Sequence, residues 1–556
     1  MAEYDEILVD APTWYTEIES QAFRGNLVGA LSLAEDARAR CQQSDDKKGI
    51  AAALHVIAKL RVQSGDAEAG LTAAQEELSV SKESGDRDVE GIAWHSIAKI
   101  HLASKRVEEV LAPAEAALAI FQDTENALAE ASVLNTIAKV RILKEDPREA
   151  ALMADESMRL FRRSGEKRGM AAVLQTQFKL KLFREKFADA VSAVEELSEL
   201  YRELNDTVGQ ASALLMGVEV RLSLGDNTLA SQSALEAAEL FKSVGEKSRQ
   251  GTAVHFAAQA AMADGKHWEA QQAANEALSL FREAGDKSGQ AAALVTVANA
   301  LLDSSDFARA AFKAEEAAAL YRQLKDRASE APSMRTVAMA HLARASAGAE
   351  DAAKEALRTA KHSLRLYQEL HDTKSVGYAS TVSTLASALL ADGDKNEALA
   401  RASEAQELFE KLKDAGGEAN AMSVIAQVYF AQERPKEAVR AARSAQMLFM
   451  EAGDSSGEKT AAGLVEHFGG DEKKADEGPI QPEVAVPGRA KLDDLSIYNT
   501  KPVVAFLGFE SRRARTGQEG KKQKQEGRDW AAQPPESVQA LYSVRWTRIQ
   551  PVAKVS

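Results

Sequence analysis

Lysine recurs at one position of a 40-residue register in the N-terminal part of the chain, at Lys59, Lys99, Lys139 and Lys179. The residue four places earlier is polar in each case, namely His55, His95, Asn135 and Gln175. Residues four apart lie on one face of a helix. A row of ammonium groups attracts carboxylates, while imidazole and amide groups can hydrogen-bond a peptide backbone. The pattern predicts a basic surface that holds an extended acidic segment of a partner.

The later copies of the register lose the lysine. The same two positions hold Leu215 and Glu219, then His255 and Gln259, then Val295 and Asn299. We count Asn299 with the eight N-terminal residues as the predicted partner-binding set. A second interpretation needs no ligand: internal duplication would copy lysine with the rest of each unit, and the ammonium groups would be solvated or paired with nearby glutamates.

Other chemistries lack the residues that they need. The chain has nine histidines, but His55 and His95 would be one helix spacing apart, roughly 10 Å, and zinc binds nitrogen at about 2 Å. Cys41 is the only cysteine, and neither a G-x-x-x-x-G-K-[ST] loop nor an H-E-x-x-H pair occurs. The sequence therefore predicts no catalytic residue, no metal site and no cofactor.

Two kinds of recurring sequence marker define the ends of the helices that must position the lysines. An aliphatic residue followed by an aromatic one recurs every 40 residues, as at Leu280-Phe281, and a glycine with an acidic residue follows, as at Gly285-Asp286. Glycine suits the left-handed residue that ends a helix, and an acidic residue favours the start of the next one. A second break inside each unit, such as Ser64-Gly65-Asp66, predicts two helices per unit.

Small residues stand where these helices must touch, and the pattern resembles the tetratricopeptide repeat (TPR) family. Trp14, Ile18, Ala30, Ala34 and Ala37 match the family pattern in the first unit. The resemblance implies an all-α, right-handed superhelical solenoid in which stacked neighbours bury one continuous core. A capping helix is expected near residues 455–468. The register gives eleven units, anchored at Ile18, Ala58, Ala98, Ala138, Phe178, Val218, Ala258, Ala298, Ala338, Ala386 and Ala426.

The 40-residue period is longer than the usual TPR period of about 34 residues. It is similar to the extended-helix version in kinesin light chains and in G-protein-signalling modulators. Those relatives are adaptors, so the resemblance implies that the first helices line a concave groove for peptides. They carry Asn where this chain has the lysines, and Asn299 is a partial match. A chaperone-type clamp for a C-terminal carboxylate is approached only by Asn135 with Lys139.

Two irregularities interrupt the register. The step from Asp326 to Asp372 is 46 residues, which predicts six inserted residues near 345–351, in the loop between the two helices of that unit. Pro113 lies too deep in its second helix to occupy the first turn. We therefore expect a kink or a late helix start there.

Composition and charge limit the class of protein. The net charge of −15 argues against a nucleic-acid partner, which needs a positive face. The acidic N-terminus lacks a signal-peptide pattern, and no run of eighteen apolar residues occurs, so we expect no membrane segment and a cytoplasmic location. The predicted organisation is an N-terminal extension (1–10), a TPR-like solenoid (11–468) and a mostly disordered tail rich in Pro, Gly and charge (469–556).

The tail contains two short motifs. Arg512, Arg513 and Arg515, followed by Lys521, Lys522 and Lys524, resemble a bipartite nuclear-import signal, although such clusters are common in disordered tails. The acidic-apolar segment Leu492-Asp493-Asp494-Leu495-Ser496-Ile497-Tyr498 is of the general kind that kinesin light chains accept. It could fold back onto the lysines and compete with external ligands.

The sequence thus favours a protein-binding adaptor or scaffold that holds acidic or acidic-apolar peptides in its groove. The alternative is a regulatory sensor whose curvature responds to a ligand or to its own tail. RNA binding by helical repeats would need a 35-residue period and a basic chain, and this chain has neither.

Overall fold

The computed structural model describes residues 14–23, 26–349 and 351–469, and these form 23 α-helices and no strand. The predicted all-α repeat fold is confirmed: eleven two-helix hairpins are followed by one final helix. That final helix spans Ser455–His467, as the capping-helix prediction required. The predicted N-terminal extension and the tail from residue 470 onward lie outside the described residues.

The chain divides into two compact units between Gly217 and Val218. Odd-numbered helices are the first helices of their hairpins, and even-numbered helices are the second helices. Unit 1 comprises α1 (Tyr15–Phe23), α2 (Leu27–Gln43), α3 (Lys47–Gln63), α4 (Ala67–Ser84), α5 (Arg87–Ala103), α6 (Val107–Asp123), α7 (Ala127–Leu143), α8 (Pro147–Ser164), α9 (Lys167–Phe183) and α10 (Phe187–Glu203), and the boundary falls within α11 (Thr207–Leu224). Unit 2 continues with α12 (Asn227–Ser243), α13 (Lys247–Ala263), α14 (His267–Ala284), α15 (Lys287–Asp303), α16 (Phe307–Gln323), α17 (Arg327–Ser346), α18 (Ala352–Glu369), α19 (Val376–Asp392), α20 (Lys395–Leu412), α21 (Ala415–Ala431), α22 (Pro435–Ala452) and α23 (Ser455–His467).

The glycine and acidic residues predicted to end and start helices do so in the structure. The side chain of Asp286 accepts a hydrogen bond from the Gly289 backbone N–H and so caps the start of α15. Gly285, at the end of α14, has φ of 71° in the left-handed region. Lys325 has nearly the same geometry, with φ of 58°. Each turn is therefore kept even where the sequence lacks glycine.

Alanine and glycine allow the helices to approach closely. Ala98, Ala138 and Ala298 are 0% exposed. Gly289 lies against the ring of Phe281, eight residues earlier in the chain, and a methyl group on this glycine would overlap the ring. The same contact recurs between Gly169 and Phe161, Gly417 and Phe409, and Gly457 and Phe449. The aromatic marker and the glycine of the next helix thus form one packing contact.

The first helices lie closer to one another than the second helices do. In unit 1, α3 contacts α5, α5 contacts α7 and α7 contacts α9, and in unit 2 the helices from α13 to α21 show the same odd-to-odd contacts. Contacts between successive second helices are sparser in the described residues. Within each unit, the first helices therefore form the more tightly packed side.

Two details of the sequence interpretation are corrected. Helix α17 has 20 residues where α15 has 17, so part of the insertion extends the first helix instead of enlarging the loop. The segment 343–347 carries three alanines, which favour helix.

Helix α6 starts at Val107 with Pro113 inside it, so the late start predicted there is wrong. The left-handed residue Lys105 already fixes the turn before α6.

We predict that Gly289→Ala destabilises unit 2. The added methyl group must displace the Phe281 ring, which costs about 1–3 kcal/mol in a packed core. This loss exceeds the roughly 1 kcal/mol that alanine gains over glycine in a helix. Urea unfolding followed by circular dichroism measures the difference.

Gly463→Ala is the matched control. Apart from the backbone of its own helix and its chain neighbours, no heavy atom of the described residues lies within 4 Å of the added Cβ at this position of α23. The control should therefore be neutral or more stable by up to about 1 kcal/mol. An unfolding midpoint for Gly289→Ala at or above that of the wild type would contradict the packing argument.

Candidate functional site

The four predicted lysines occupy one position on four consecutive first helices of unit 1, namely α3, α5, α7 and α9. Each lysine directly follows a buried residue, such as Ala98 before Lys99, and each lysine side chain is itself partly exposed. Because these first helices contact one another, the lysines follow one another along one side of unit 1. We call Lys59, Lys99, Lys139 and Lys179 the lysine row.

Lys59 shows how this position is neutralised within the chain. Its Nζ atom lies 3.8 Å from Glu19 Oε1, and the two side chains are 31% and 52% exposed. This is the intramolecular pairing that the duplication interpretation expects. Exposed ion pairs contribute about 0–1 kcal/mol, so a ligand carboxylate can compete with Glu19 for the ammonium group.

The predicted histidines are buried between consecutive repeats. His55 and His95 are 7% and 1% exposed, and His255 in unit 2 is 3% exposed. In each case an imidazole nitrogen hydrogen-bonds a hydroxyl 41 residues later, on the next first helix. The three pairs are His55 Nδ1 with Ser96 Oγ at 2.9 Å, His95 Nε2 with Thr136 Oγ1 at 2.8 Å, and His255 Nε2 with Thr296 Oγ1 at 2.8 Å.

Sequence reasoning did not single out these hydroxyl partners. The signal was present as a 41-residue spacing between His and Ser or Thr. The imidazoles of His55 and His95 connect first helices, so any ligand along unit 1 would meet chiefly the partly exposed lysines beside them.

The predicted amides differ in their surroundings. Asn135 is 5% exposed, and its Oδ1 atom is buried with no hydrogen-bond partner among the described residues. Gln175 Nε2 donates to Tyr201 Oη at 2.7 Å, and burial raises the pKa of Tyr201 to about 12. Asn299 is partly exposed on α15, in unit 2. The structure thus places eight predicted residues in one unit and Asn299 in the other.

Glu219 takes the lysine position on α11. Its Oε1 atom is buried with no hydrogen-bond partner among the described residues, and burial raises the pKa of this carboxyl group to about 8. The carboxyl is therefore largely protonated at neutral pH. A register position that carries an ammonium group in the second to fifth hairpins holds a neutral acid in the sixth.

One cluster has the composition of a catalytic triad. His55, Ser96 and Glu77 meet between α3, α4 and α5, and Glu77 is 1% exposed. Both Ser96 Oγ, at 2.9 Å, and Glu77 Oε1, at 3.3 Å, lie on the same imidazole nitrogen, Nδ1. A triad needs the carboxylate and the hydroxyl on opposite ring nitrogens. The geometry fits a structural contact instead of acyl transfer.

Two further candidates for nucleophilic chemistry are poorly placed for it. The sequence interpretation that no nucleophile elbow spacing occurs is wrong, because Gly453-Asp454-Ser455-Ser456-Gly457 has the G-x-S-x-G spacing. The segment joins α22 to α23, and an elbow needs a strand before its helix. Burial, and secondarily the Asp46 carboxylate, raises the pKa of the Cys41 thiol. A reactive cysteine needs the opposite shift. No group of metal-ligating side chains occurs among the described residues.

Comparisons with known proteins give TPR-like helical repeat proteins as structural neighbours. No protein-family model matches the chain, and no curated protein matches it. A signal-transduction ATPase with a tetratricopeptide repeat sensor, from Pyrococcus horikoshii, is 13% identical with a TM-score of 0.43, and the match covers 73% of this chain and 55% of that one. This chain thus spans about half the length of that protein.

Two other solved structures are also similar to this chain. The apo form of the quorum sensor NprR from B. thuringiensis is 13% identical with a TM-score of 0.42, over 66% of this chain and 99% of that one. A putative kinesin light chain with nearly identical TPR-like repeats, from Podosopora anserina, is 16% identical with a TM-score of 0.30, over 37% of this chain and 97% of that one.

None of the described helices is long and apolar enough to cross a membrane.

We predict that His255 makes unit 2 sensitive to acid. Burial lowers the pKa of His255 from its ordinary value of 6.5 to about 4, so the folded state keeps the imidazole neutral while the unfolded chain protonates first. Stability is therefore complete above pH 6.5 and falls as the pH drops towards 4. The difference between the two pKa values corresponds to about 3 kcal/mol.

His255→Gln tests this assignment, because a glutamine amide can donate to Thr296 Oγ1 but does not titrate in this range. Urea unfolding at pH 7 and at pH 4.5 should show a smaller loss of stability in the variant than in the wild type. Equal losses in the two proteins would show that other groups cause the acid sensitivity.

Proposed function

We propose that this chain is a protein-binding adaptor or scaffold, non-catalytic and cytoplasmic, whose unit 1 holds an extended acidic segment of a partner along the lysine row. The observation that supports this proposal is the equivalent position of four partly exposed lysines on four first helices that contact one another in series. Ammonium groups at one position of four adjacent first helices would attract a ligand that carries carboxylates at matching intervals.

The spacing of the row favours a particular ligand. Packed helices are roughly 10 Å apart, and an extended peptide advances about 3.3 Å per residue. A carboxylate at every third residue would therefore meet successive lysines.

The proposal predicts that neutralising the lysine row weakens binding of an acidic peptide. The probe is a fluorescein-labelled dodecapeptide with Glu at every third residue, separated by Ser and Thr, and its counterpart carries Gln for Glu. Replacing Lys59, Lys99, Lys139 and Lys179 together by Gln removes four exposed charge contacts of about 0.2–1 kcal/mol each. Affinity at low salt should fall about 10- to 100-fold, and the difference should shrink at 0.5 M salt, roughly the range where screening becomes strong.

The control removes the same charge elsewhere in unit 1. Lys47, Lys48, Lys167 and Lys186 are exposed at helix ends, by 41%, 68%, 48% and 58%, and their joint replacement by Gln should leave affinity within about twofold. An equal loss in both variants would reduce the effect to net charge and contradict a defined row. Binding of the Gln peptide as tightly as the Glu peptide would also contradict it.

The second candidate function is a regulatory sensor controlled by the chain's own tail. The polar His–hydroxyl contacts between first helices favour it, because single hydrogen bonds of about 0.5–1.5 kcal/mol oppose a change of angle between repeats only weakly. In this version, residues 492–498 would occupy the lysine row until a partner displaces them.

Deletion of residues 471–556 tests the tail. If residues 492–498 compete for the lysine row, the shortened chain should bind the Glu peptide several-fold more tightly than the full chain. A synthetic peptide of residues 492–498, added in excess, should reverse the gain. Unchanged affinity after deletion would exclude tail competition and leave the adaptor proposal intact.

A further inference from the structure

Arg335 is an arginine on a first helix of unit 2 whose guanidinium group is partly buried. It lies on α17 at the position that His255 has on α13, four residues before Met339. Its Nη1 atom donates to the Met339 sulfur at 3.4 Å, and its Nε atom is buried with no hydrogen-bond partner among the described residues. Burial lowers the pKa of the guanidinium, and the nearby Tyr367 opposes this shift. The side chain as a whole remains partly exposed.

Other arginines nearby have oxygen partners. Arg322 Nε donates to Glu330 Oε1 at 2.8 Å, and Arg327 Nη1 donates to Glu369 Oε2 at 2.7 Å. In the described part of unit 2, Arg335 has no carboxylate within ion-pair distance. Arg322 and Arg327 are thus paired with carboxylates, whereas Arg335 has a sulfur contact.

The contact that stabilises the equivalent histidine is also missing. His255 is hydrogen-bonded to Thr296, which lies two residues before Ala298 on the next first helix. Thr384 has the corresponding place before Ala386 on α19, and its Oγ1 atom donates to the Ser380 carbonyl at 2.8 Å, as Thr296 Oγ1 donates to the Ala292 carbonyl. Arg335 makes no hydrogen bond to it in the described structure. The position that joins repeats elsewhere does not do so through Arg335.

A buried guanidinium donor without an oxygen partner, such as Arg335 Nε, destabilises a fold. Such groups are retained where a ligand supplies the missing partner. A guanidinium is planar and matches the two oxygens of a carboxylate. Asn299 and Met339, both partly exposed first-helix residues of unit 2, offer an amide and a thioether to the rest of such a ligand.

We propose that Arg335 is the centre of a carboxylate-binding site on the first-helix side of unit 2. The site is separate from the lysine row and does not depend on it. The carboxylate can come from a free small acid, from the C-terminus of a peptide or from a Glu side chain, and the chemistry at Arg335 is the same in all three cases.

The experiment uses the full chain and three probes at fixed ionic strength: sodium acetate, an N-acetylated alanine tripeptide with a free C-terminus, and an N-acetylated Ala-Glu-Ala peptide with an amidated C-terminus. Acetamide and the fully amidated alanine tripeptide are the neutral controls. Calorimetric titration measures affinity, and thermal unfolding measures stabilisation. The probe that binds identifies the source of the carboxylate.

At least one carboxylate probe should bind the wild type more tightly than its neutral control. Arg335→Gln and Arg335→Met should each lower that affinity at least about tenfold, since a charge-assisted hydrogen bond is lost. Arg335→Lys should lose less, because it keeps the charge without the planar fork. Arg358→Gln, which changes an exposed arginine of α18, and the Gln variant of the lysine row should bind the probe as the wild type does.

Stability of the ligand-free protein separates a binding role from a structural one. If Arg335 serves a ligand, Arg335→Met should unfold at the same temperature as the wild type or a higher one, because the uncompensated charge is gone. If that variant unfolds several degrees lower, Arg335 supports the fold and the proposal is wrong. The proposal also fails if no carboxylate exceeds its neutral control, if Arg335→Gln binds normally, or if the lysine-row variant loses the probe.

Discussion

Close approach of helix backbones at alanine and glycine is the constraint on which the remaining structure depends. Where the Phe281 ring lies against Gly289, there is no room for a side chain at position 289 between the second helix of one hairpin and the first helix of the next. That contact fixes the rotation of each first helix about its axis. The rotation then decides which residues are buried beside Ala98 or Ala298 and which remain partly exposed. The lysine row is a consequence of this packing: one rotation, copied in successive hairpins, gives one position the same surroundings each time.

The packing also explains how much of the fold could be predicted from sequence. Helix ends follow from local chemistry, because Asp286 caps a start and Gly285 supplies a left-handed end, and both are visible in the sequence. The sequence did not show in the same way how the inserted residues are divided between α17 and the loop that follows it. Alanines near residue 345 are compatible with a longer helix or with a loop, and only the packing of α17 against its neighbours decides between them.

The candidate site was less predictable, because the role of a side chain at one position depends on residues in the next repeat. His55 and His95 stand four residues before lysines, and on that basis alone they belong to a ligand-binding face. Their burial depends on Ser96 and Thr136, whose hydroxyl groups lie on the following first helix and hydrogen-bond the imidazoles. Asn135 keeps an unsatisfied carbonyl at the same position. The position of a residue within the repeat therefore predicts which way its side chain points. The neighbouring repeat determines whether a polar group there has a hydrogen-bond partner.

This dependence gives a general way to separate structural from ligand-binding residues along such a repeat array. A polar residue that is copied together with its partner, as His95 with Thr136 and His255 with Thr296 are, contributes to the junction between repeats. A polar residue whose partner is missing retains unsatisfied hydrogen-bonding capacity, which costs free energy in the isolated protein. Asn135 and Arg335 are of this second kind in the described structure, and Arg335 adds a charge that burial disfavours. Duplication alone explains why a residue recurs, but it does not explain why a buried group is left without its partner. At those positions the missing partner must come from outside the described residues, and for Arg335 the chemistry of the guanidinium specifies a carboxylate.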